Sequence, residues 1–247
     1  IRDRVVSGPR PFPLVFQRNQ RELKRNYRMS VEEITIGDPF FSVKLIKSNK
    51  NIFVNGKAIV LNLSNSPLKI RQQVLGHLQS VIVIDTALTD VQCAVLIEGL
   101  SNHLSDSDLL KKVCMNWPTA FEVRKEERLR GVEHYMSPKQ WVGQIGLTFY
   151  CSMSVPLKVG LHKDHPFCPL PGFREVHTQV IGVGKMQQCY QKDIRSLYIE
   201  ELMAPGVTHR PMYDADGNYP WHQYETVTPS IFMAVEMLPD GASPPNS

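Results

Sequence analysis

The first part of the chain contains short runs that alternate apolar and polar residues with the two-residue period of β-strands. Phe41–Ile46 alternates in this way, and Ile52–Val54 is a second short apolar run of the same kind. Asn55-Gly56 separates this run from Lys57–Leu61, and an Asn-Gly pair between two such runs is typical of a two-residue hairpin turn. We therefore predict a hairpin whose turn lies at residues 55–56.

The next segments space their apolar residues at intervals typical of helices. Ser66-Pro67 can open one helix, because proline in a first turn costs no hydrogen bond. After a short buried strand at Val81–Ile84, Thr89 and Asp90 can cap a second helix, and a third covers residues 106–115. The apolar residues that define the first two helices are Ile70, Val74, Leu75 and Leu78, then Ala94, Val95, Ile97, Leu100 and Leu104. The charged run 122–130 is predicted to be a solvated helix face.

From Val142 onward the pattern changes to short alternating apolar runs separated by Gly, Pro and Asp. The clearest runs are residues 145–155, 176–181, 197–199 and 231–238. Several short strands at close spacing predict an antiparallel sandwich or barrel. We therefore expect an α+β chain in three parts: an arm at 1–30, a mixed helix and strand region at 31–138, and a β-barrel at 139–240.

Composition limits the class of protein. The chain has 247 residues, of which 42% are hydrophobic and 21% charged, which fits one large or two small soluble domains. No run approaches the roughly 20 apolar residues that span a bilayer, and the first residues lack a signal-peptide pattern. Five cysteines without a CxxC pair argue against a disulfide framework and favour a reducing compartment. We therefore expect a cytoplasmic protein with no membrane segment.

The arm at residues 1–30 is strongly basic. It holds eight Arg and Lys residues against two acidic residues, although the whole chain carries a net charge of only +4. A basic arm can bind nucleic acid or an acidic partner. This arm lacks the interleaved aromatic residues of a base-stacking surface. We expect a solvated or partner-docking arm, and no nucleic-acid binding.

Histidines are concentrated near the end of the chain. Five of the eight fall within the final 86 residues: His162, His165, His177, His209 and His222. His162 and Asp164 are two positions apart, so in an extended strand both side chains point to the same face. An imidazole and a carboxylate together are the beginning of a facial triad for Fe(II) or a similar divalent ion. The sequence therefore predicts a metal site here.

Two further segments can complete this site. Glu175, His177 and Gln179 share one face of a predicted strand, so any of them can add a ligand or a partner to a ligand. Pro205-Gly206 forms a turn that would deliver His209 inward from the next strand. We therefore predict that His177 and His209 are also candidate metal ligands.

In this order the segments resemble the cupin superfamily, in which a first motif supplies H-x-H or H-x-D and a PG-x-x-H motif supplies the last histidine. The succession GLHKD, TQVIGVGK and APGVTH is similar to the JmjC-type 2-oxoglutarate oxygenases. The resemblance covers about residues 142–238 and implies a double-stranded β-helix barrel. It implies that His162, Asp164 and His209 bind Fe(II). It also implies that Lys185, which strand parity would aim into the barrel, and Gln179 in the same motif bind 2-oxoglutarate.

A second ligand set follows from two departures from that pattern. The stretch before the second motif is longer than the oxygenases usually show, and His177 lies near the place where other cupins have a metal-binding Glu. The competing set is His162, His177 and His209, with Asp164 or His165 beside it. This set suits isomerases, lyases, decarboxylases and dioxygenases that use the ion as a Lewis acid.

The aromatic segment Tyr219–Tyr224 is either a lid over a substrate or a simple cover of the barrel mouth. In the first interpretation His222 and Tyr224 are catalytic residues, with His222 as acid or base. The substrate would be a small molecule or a protein side chain, and a homodimer is compatible with this. A non-catalytic ligand-sensing or assembly module is the remaining alternative. No DNA-binding helix pair is evident, which favours the enzyme.

Overall fold

The structure is a computed structural model that describes residues 30–103, 108–163, 165, 167–214 and 216–244. The predicted ligand Asp164 and all of the basic arm except Ser30 lie outside the described residues. The strands are β1 (Ser30–Ile34), β2 (Ser42–Asn62), β3 (Leu68–Ile70), β4 (Gln73–Leu75), β5 (Ser80–Glu98), β6 (His134–Met136), β7 (Gln140–Val142), β8 (Ile145–Ser152), β9 (Arg174–Ile181), β10 (Gly184–Cys189), β11 (Leu197–Met203), β12 (Trp221–Thr226) and β13 (Ser230–Met237). The helices are α1 (Leu109–Asn116) and α2 (Ala120–Arg124), with 3-10 turns at Thr35–Gly37, Leu100–His103, Glu127–Leu129 and Ile194–Ser196.

Strands β2 and β5 form one long antiparallel ribbon that folds back on itself. Ile59 in β2 pairs with Ile82 near the start of β5 and also with Ile97 near its end. The end of β2 therefore lies between the two ends of β5. Strand β1 pairs with β2, and the β3–β4 hairpin pairs with β5, which gives the order β1-β2-β5-β3-β4.

The predicted hairpin turn at residues 55–56 is wrong, because both residues lie inside β2. Asn55 and Gly56 together oppose Asp85 of β5, which is the two-against-one arrangement of a β-bulge. Gly56 has φ of +72°, and its backbone N–H donates to Oδ1 of Asp85 at 2.7 Å. Gly56 does adopt the positive φ that is typical of glycine in a hairpin turn, but it does so at a bulge within a continuous ribbon.

The two helices predicted between residues 66 and 104 are also wrong. The first segment forms the β3–β4 hairpin, in which Leu68 pairs with Leu75 and Arg71 turns the chain with φ of +55°. Most of the second lies in β5, where β-branched residues are frequent and favour an extended chain. The helix predicted at 106–115 is confirmed in its described part by α1 at Leu109–Asn116.

The C-terminal part consists of two antiparallel sheets, as the alternation from Val142 predicted. One has the order β6-β8-β13-β9, with β7 also paired to β8, and the other has the order β11-β10-β12. The predicted strand runs correspond to β8, β9, β11 and β13. The chain passes from the first sheet to the second between β9 and β10, and returns between β12 and β13.

Buried side chains form a core that is continuous between the N-terminal ribbon and the C-terminal sheets. Leu45 and Val95 from the ribbon belong to the same buried cluster as Leu147 and Met233, and the rings of Phe41 and Phe149 lie 5.7 Å apart. Another buried cluster lies between the two C-terminal sheets and includes Tyr224 and Phe232, whose rings are 4.3 Å apart. The division into regions near residue 138 therefore stays a prediction, because no gap in the core marks it.

None of the helices in the described part of the chain has the length and apolar character needed to cross a membrane.

Candidate metal centre

A cavity of about 40 Å³ lies between the inner faces of the two C-terminal sheets. This volume has room for about three water-sized groups. Its apolar wall includes Tyr150, Met186, Tyr224 and Phe232. Its polar wall consists of Arg124, Arg128, His134, His162, His165, Glu175, His177 and His222. Four of the five clustered histidines of the sequence therefore meet at this cavity.

Backbone pairing brings His162 beside His222. The N–H of His162 donates to the carbonyl oxygen of His222 at 3.0 Å, and the N–H of His222 donates back to His162 at 2.8 Å. The segment that contains His162 therefore runs along β12 like a further strand. The two ring centroids are 4.4 Å apart. The strand-like setting predicted for His162 is present, although it pairs with β12 through an isolated bridge.

The free ring nitrogens of these two histidines point into the cavity region. Nδ1 of His162 lies 2.9 Å from the carbonyl oxygen of Gly160, and Nδ1 of His222 lies 3.0 Å from that of Pro220. A carbonyl oxygen accepts only, so each Nδ1 carries the proton and each Nε2 keeps its lone pair. Metal-binding histidines are commonly oriented by such a hydrogen bond on the opposite nitrogen.

His165 completes a group of three imidazoles. Its ring centroid lies 5.0 Å from that of His222, and its Nδ1 lies 3.3 Å from Sγ of Cys168. The ligand atoms of His162, His165 and His222 all lie within 4.8 Å of one another. Two nitrogens that bind one ion at about 2.0–2.1 Å are at most about 4.2 Å apart, so the 4.8 Å limit brings the three imidazoles close to the spacing that a shared ion requires.

The carboxylate of Glu175 lies beside this group. Its Oε2 lies 3.5 Å from Nε2 of His165. Within the described part of the chain, this Oε2 and the Nε2 atoms of His165 and His222 are buried without a hydrogen-bond partner. Buried acceptors without donors are costly. A divalent transition-metal ion fits this donor set, because imidazole nitrogen and carboxylate oxygen are common ligands of such ions.

His177 lies behind Glu175 and holds its carboxylate. Its Nε2 lies 3.0 Å from Oε1 of Glu175 and donates the hydrogen bond. Its backbone N–H donates to Nε2 of His209 at 2.9 Å, while Nδ1 of His209 lies 2.7 Å from the carbonyl oxygen of Arg210. Both ring nitrogens of His209 are thus bound to backbone groups. The structure therefore places His177 next to the carboxylate and His209 outside the three-histidine group.

Burial keeps the histidines of the centre neutral. It lowers the pKa of His162 to about 3 and also lowers the pKa values of His165 and His222. Burial alone would raise the pKa of Glu175, but the nearby His165 and the hydrogen bond from His177 outweigh it and hold that pKa well below its usual range. Neutral imidazoles and an ionised carboxylate are the protonation states that metal ligands require.

The structure places Lys185 away from the cavity. Its neighbour Met186 lines the cavity, and side chains alternate along a strand, so Lys185 lies on the opposite face of β10. Its Nζ lies 3.3 Å from Glu200 and 3.2 Å from Glu225. We expected the alternation of side chains along the strand to aim Lys185 into the barrel, where it could bind 2-oxoglutarate, but its side chain lies on the other face of β10.

The predicted residues Gln179 and Tyr224 bind each other. The Tyr224 hydroxyl donates to Oε1 of Gln179 at 3.0 Å and lies 2.9 Å from Oγ of Ser230. Nε2 of Gln179 donates to the carbonyl oxygen of Ile181 at 2.8 Å. Tyr224 therefore contributes to the cavity wall, while its hydroxyl and the Gln179 amide are engaged in a buried network.

Arg124 and Arg128 are residues that the sequence did not single out. They lie in the charged run 122–130, which we expected to be a solvated helix face. Their side chains are only 22% and 23% exposed, and both line the cavity. Nothing in the sequence marks these two arginines among the other charges of the run.

Replacing His209 with glutamine is expected to destabilise the protein without removing its metal ion. The substitution disturbs two hydrogen bonds of a ring that is 1% exposed, and we expect a loss of about 1–3 kcal/mol in the free energy of unfolding. Urea unfolding and metal analysis of the same sample measure both effects. A metal content well below that of the wild type would contradict this prediction and indicate that His209 is a metal ligand, as the PG-x-x-H resemblance implies.

The comparisons with known proteins give only distant structural similarities. No family model matches the chain, and no curated protein matches it. Among solved structures, it is similar to a cupin 2 conserved barrel domain protein from Leptotrichia buccalis, with 10% identity, a TM-score of 0.30, and coverage of 85% of this chain and 89% of that chain. It is similar to a cupin-superfamily sugar phosphate isomerase from Silicibacter pomeroyi, with 16% identity, a TM-score of 0.31, and coverage of 43% and 60%. An oxalate decarboxylase variant from Bacillus subtilis shows 9% identity, a TM-score of 0.31, and coverage of 85% and 73%. At these scores the similarities carry no argument about what this chain binds, so its function rests on its own side chains.

Proposed function

We propose that this protein is a metal-dependent enzyme of the cupin type, with a divalent ion held by His162, His165 and His222 and with Glu175 beside it. The observation that carries the proposal is the group of three imidazoles whose ligand atoms lie within 4.8 Å of one another, with buried ring nitrogens of His165 and His222 that have no hydrogen-bond partner. The single ligand shared with both predicted sets is His162.

A bound divalent ion would supply Lewis-acid polarisation of a substrate oxygen, or one-electron chemistry if the metal is redox-active. The chain's own residues would do the remaining work. Oε2 of Glu175 is buried without a hydrogen-bond partner at the cavity and can accept a hydrogen bond from a bound substrate. Nε2–H of His177 fixes the other oxygen of this carboxylate. The apolar wall excludes water from the reacting atoms.

This arrangement changes the proposed role of His222. We predicted it as an acid or base in an aromatic lid, but its Nδ1 is bound to the backbone and its Nε2 is buried among the other imidazoles. A metal ligand fits this environment better than a proton carrier, because burial holds its pKa well below the ordinary value for histidine. We therefore propose His222 as a ligand, and Glu175 as a hydrogen-bond acceptor for a bound substrate.

A narrower version of the proposal is that the protein is an oxygenase that depends on Fe(II) and 2-oxoglutarate. It requires Asp164, which lies outside the described residues, and a basic partner for the far carboxylate of 2-oxoglutarate. Lys185 is paired on the opposite face of β10, so Arg124 or Arg128 would have to take that part. Conversion of 2-oxoglutarate to succinate by the iron-loaded protein separates this version from Lewis-acid chemistry.

The proposal is tested by the metal content of protein purified without chelator. We expect about one transition-metal ion per chain. We also expect removal by chelator to lower the melting temperature, because an ion that binds the folded state stabilises it by about 2.7 kcal/mol at one hundred times its Kd. Protein that takes up no Mn, Fe, Co, Ni or Zn, and whose melting temperature none of them shifts, would contradict the proposal. A stably bound ion without turnover of any substrate would favour the sensing or assembly module.

A further inference from the structure

Two arginines beside the candidate metal centre indicate what kind of molecule enters the cavity. We infer that Arg124 and Arg128 form a clamp for a carboxylate group, so that the substrate is a small carboxylate anion. The inference rests on the proposed function, because it assumes that the cavity beside the three histidines is the active site.

The segment that carries both arginines is fixed in place. Thr119 and Glu122 form a capping box at the start of α2, and Lys125 ends the helix with φ of +57°. Ala120 and Leu129 are buried in the cluster around the cavity. The segment is therefore anchored on both sides of the arginines, which limits the entropy that the clamp loses on binding.

One carboxylate holds the two guanidinium groups side by side. Nε of Arg124 lies 3.1 Å from Oε1 of Glu126, and Nη2 of Arg128 lies 2.5 Å from Oε2 of the same residue. Nη1 of Arg128 also donates to the carbonyl oxygen of Val159 at 2.5 Å, and Nη1 of Arg124 lies 3.4 Å from the Tyr150 hydroxyl. Each arginine thus uses two of its three nitrogens to fix its orientation.

The remaining nitrogens can bind a ligand. Among the described residues, the contacts of Arg124 are made by its Nε and Nη1, and those of Arg128 by its Nη1 and Nη2. The planar donor fork of arginine matches the two oxygens of a carboxylate, and such charge-assisted pairs are stronger than hydrogen bonds between neutral groups. A carboxylate is therefore the group that these donors fit best.

The charge of the cavity also calls for an anion. The two guanidinium groups carry two positive charges, which Glu126 and Glu175 offset when both are ionised. A divalent ion would then leave the site with two excess positive charges in a partly buried space. An anionic substrate would neutralise this excess, since unpaired charge is costly away from water.

The cavity is small, at about 40 Å³, and it is partly open to solvent. A short carboxylate agrees with this size and with the charge, because its carboxylate group can reach the arginines while a second oxygen approaches the metal.

The test compares pyruvate with its neutral isostere pyruvamide by calorimetry on the metal-loaded protein. We expect pyruvate to bind at least about tenfold more tightly. Arg124→Gln and Arg128→Gln should each weaken pyruvate binding about 10- to 100-fold and leave metal content unchanged, since each removes charge-assisted hydrogen bonds. Arg130→Gln is the matched control, because Arg130 lies on the same segment but is 61% exposed and paired with Glu127. It should bind pyruvate like the wild type.

Further measurements separate the clamp from the fold and from the metal site. Arg124→Lys keeps the charge but loses the planar fork, and it should weaken pyruvate binding even if Arg124→Gln folds poorly. The comparison is repeated on metal-free protein, where the clamp should still prefer pyruvate to pyruvamide. Equal affinity for the two ligands, or inorganic phosphate binding as tightly as pyruvate, would overturn the clamp even if the metal is bound. Absence of metal with a retained preference for pyruvate would instead remove the proposed function and leave the clamp.

Discussion

A His222→Ala variant is expected to lose its metal ion while keeping its fold. The imidazole of His222 is 1% exposed, its Nδ1 is held by the carbonyl oxygen of Pro220, and its Nε2 faces the other two histidines. Changes to residues that merely orient ligands typically lower metal affinity 10- to 100-fold. Loss of a ligand that supplies one of the few bonds to the ion should exceed this range, so we expect a decrease of more than about 100-fold.

The measurement is a competition titration against a chelator of known affinity, together with elemental analysis after dialysis. His77→Ala is the matched control, because His77 is exposed and lies outside the three-histidine group. It should keep the wild-type affinity. If His222→Ala retains full metal content and only its melting temperature falls, His222 is a packing residue and the proposed ligand set is incorrect.

The second large effect is expected for Gly182→Ala, at the turn where the chain passes from one C-terminal sheet to the other. Gly182 has φ of +70°, and a Cβ atom there would lie 2.1 Å from the backbone carbonyl oxygen of Pro229 and 2.8 Å from Oγ1 of Thr228. A backbone oxygen cannot move away from the added Cβ atom as the end of a flexible side chain can. Left-handed strain of about 1–2 kcal/mol adds to an overpacking cost of about 1–3 kcal/mol, so we expect a loss of roughly 2–5 kcal/mol in the free energy of unfolding.

Gly217→Ala separates the two causes of this loss. Gly217 has φ of +83°, but a Cβ atom there would meet no heavy atom within 4 Å. This control should therefore lose only the conformational part, about 1–2 kcal/mol. Urea unfolding monitored by circular dichroism gives both values. Equal losses in the two variants would show that contact between the β9–β10 turn and Pro229 does not limit the packing of the sheets.

The strands of the C-terminal part were predictable because they are short, mainly apolar runs bounded by Gly, Pro and Asp. In β13, for example, both faces are buried: Met233 and Val235 lie in one cluster, and Phe232 and Ala234 lie in the other. The β3–β4 hairpin beside the N-terminal ribbon was harder to predict, because the spacing of Ile70 and Val74 suits a helix as well as it suits a hairpin. The positive φ of Arg71 that makes the hairpin is set by tertiary packing and has no local glycine signal.

The candidate site was predictable only where its residues lie on strands. His162 was identified from its two-residue spacing, and it does lie against β12. His165 lies three positions further on in a loop, where periodicity no longer predicts which way a side chain points. His209 matched a motif, but sequence cannot show that backbone groups already bind both of its ring nitrogens. The inward direction of Arg124 depends on a capped helix of one turn, which the charge pattern does not reveal.

Strand β9 separates two environments that the chain builds from distant segments. On one face it presents Glu175 and His177 to the cavity, and on the other it packs Val176 and Val180 into the core shared with the N-terminal ribbon. A rigid strand cannot shift on one face without shifting on the other. Occupancy of the metal centre and the local stability of the ribbon are therefore expected to be coupled, and thermodynamic reciprocity requires that each change the other by the same free energy. Substitutions in the ribbon that never approach the cavity would in this way act on metal affinity.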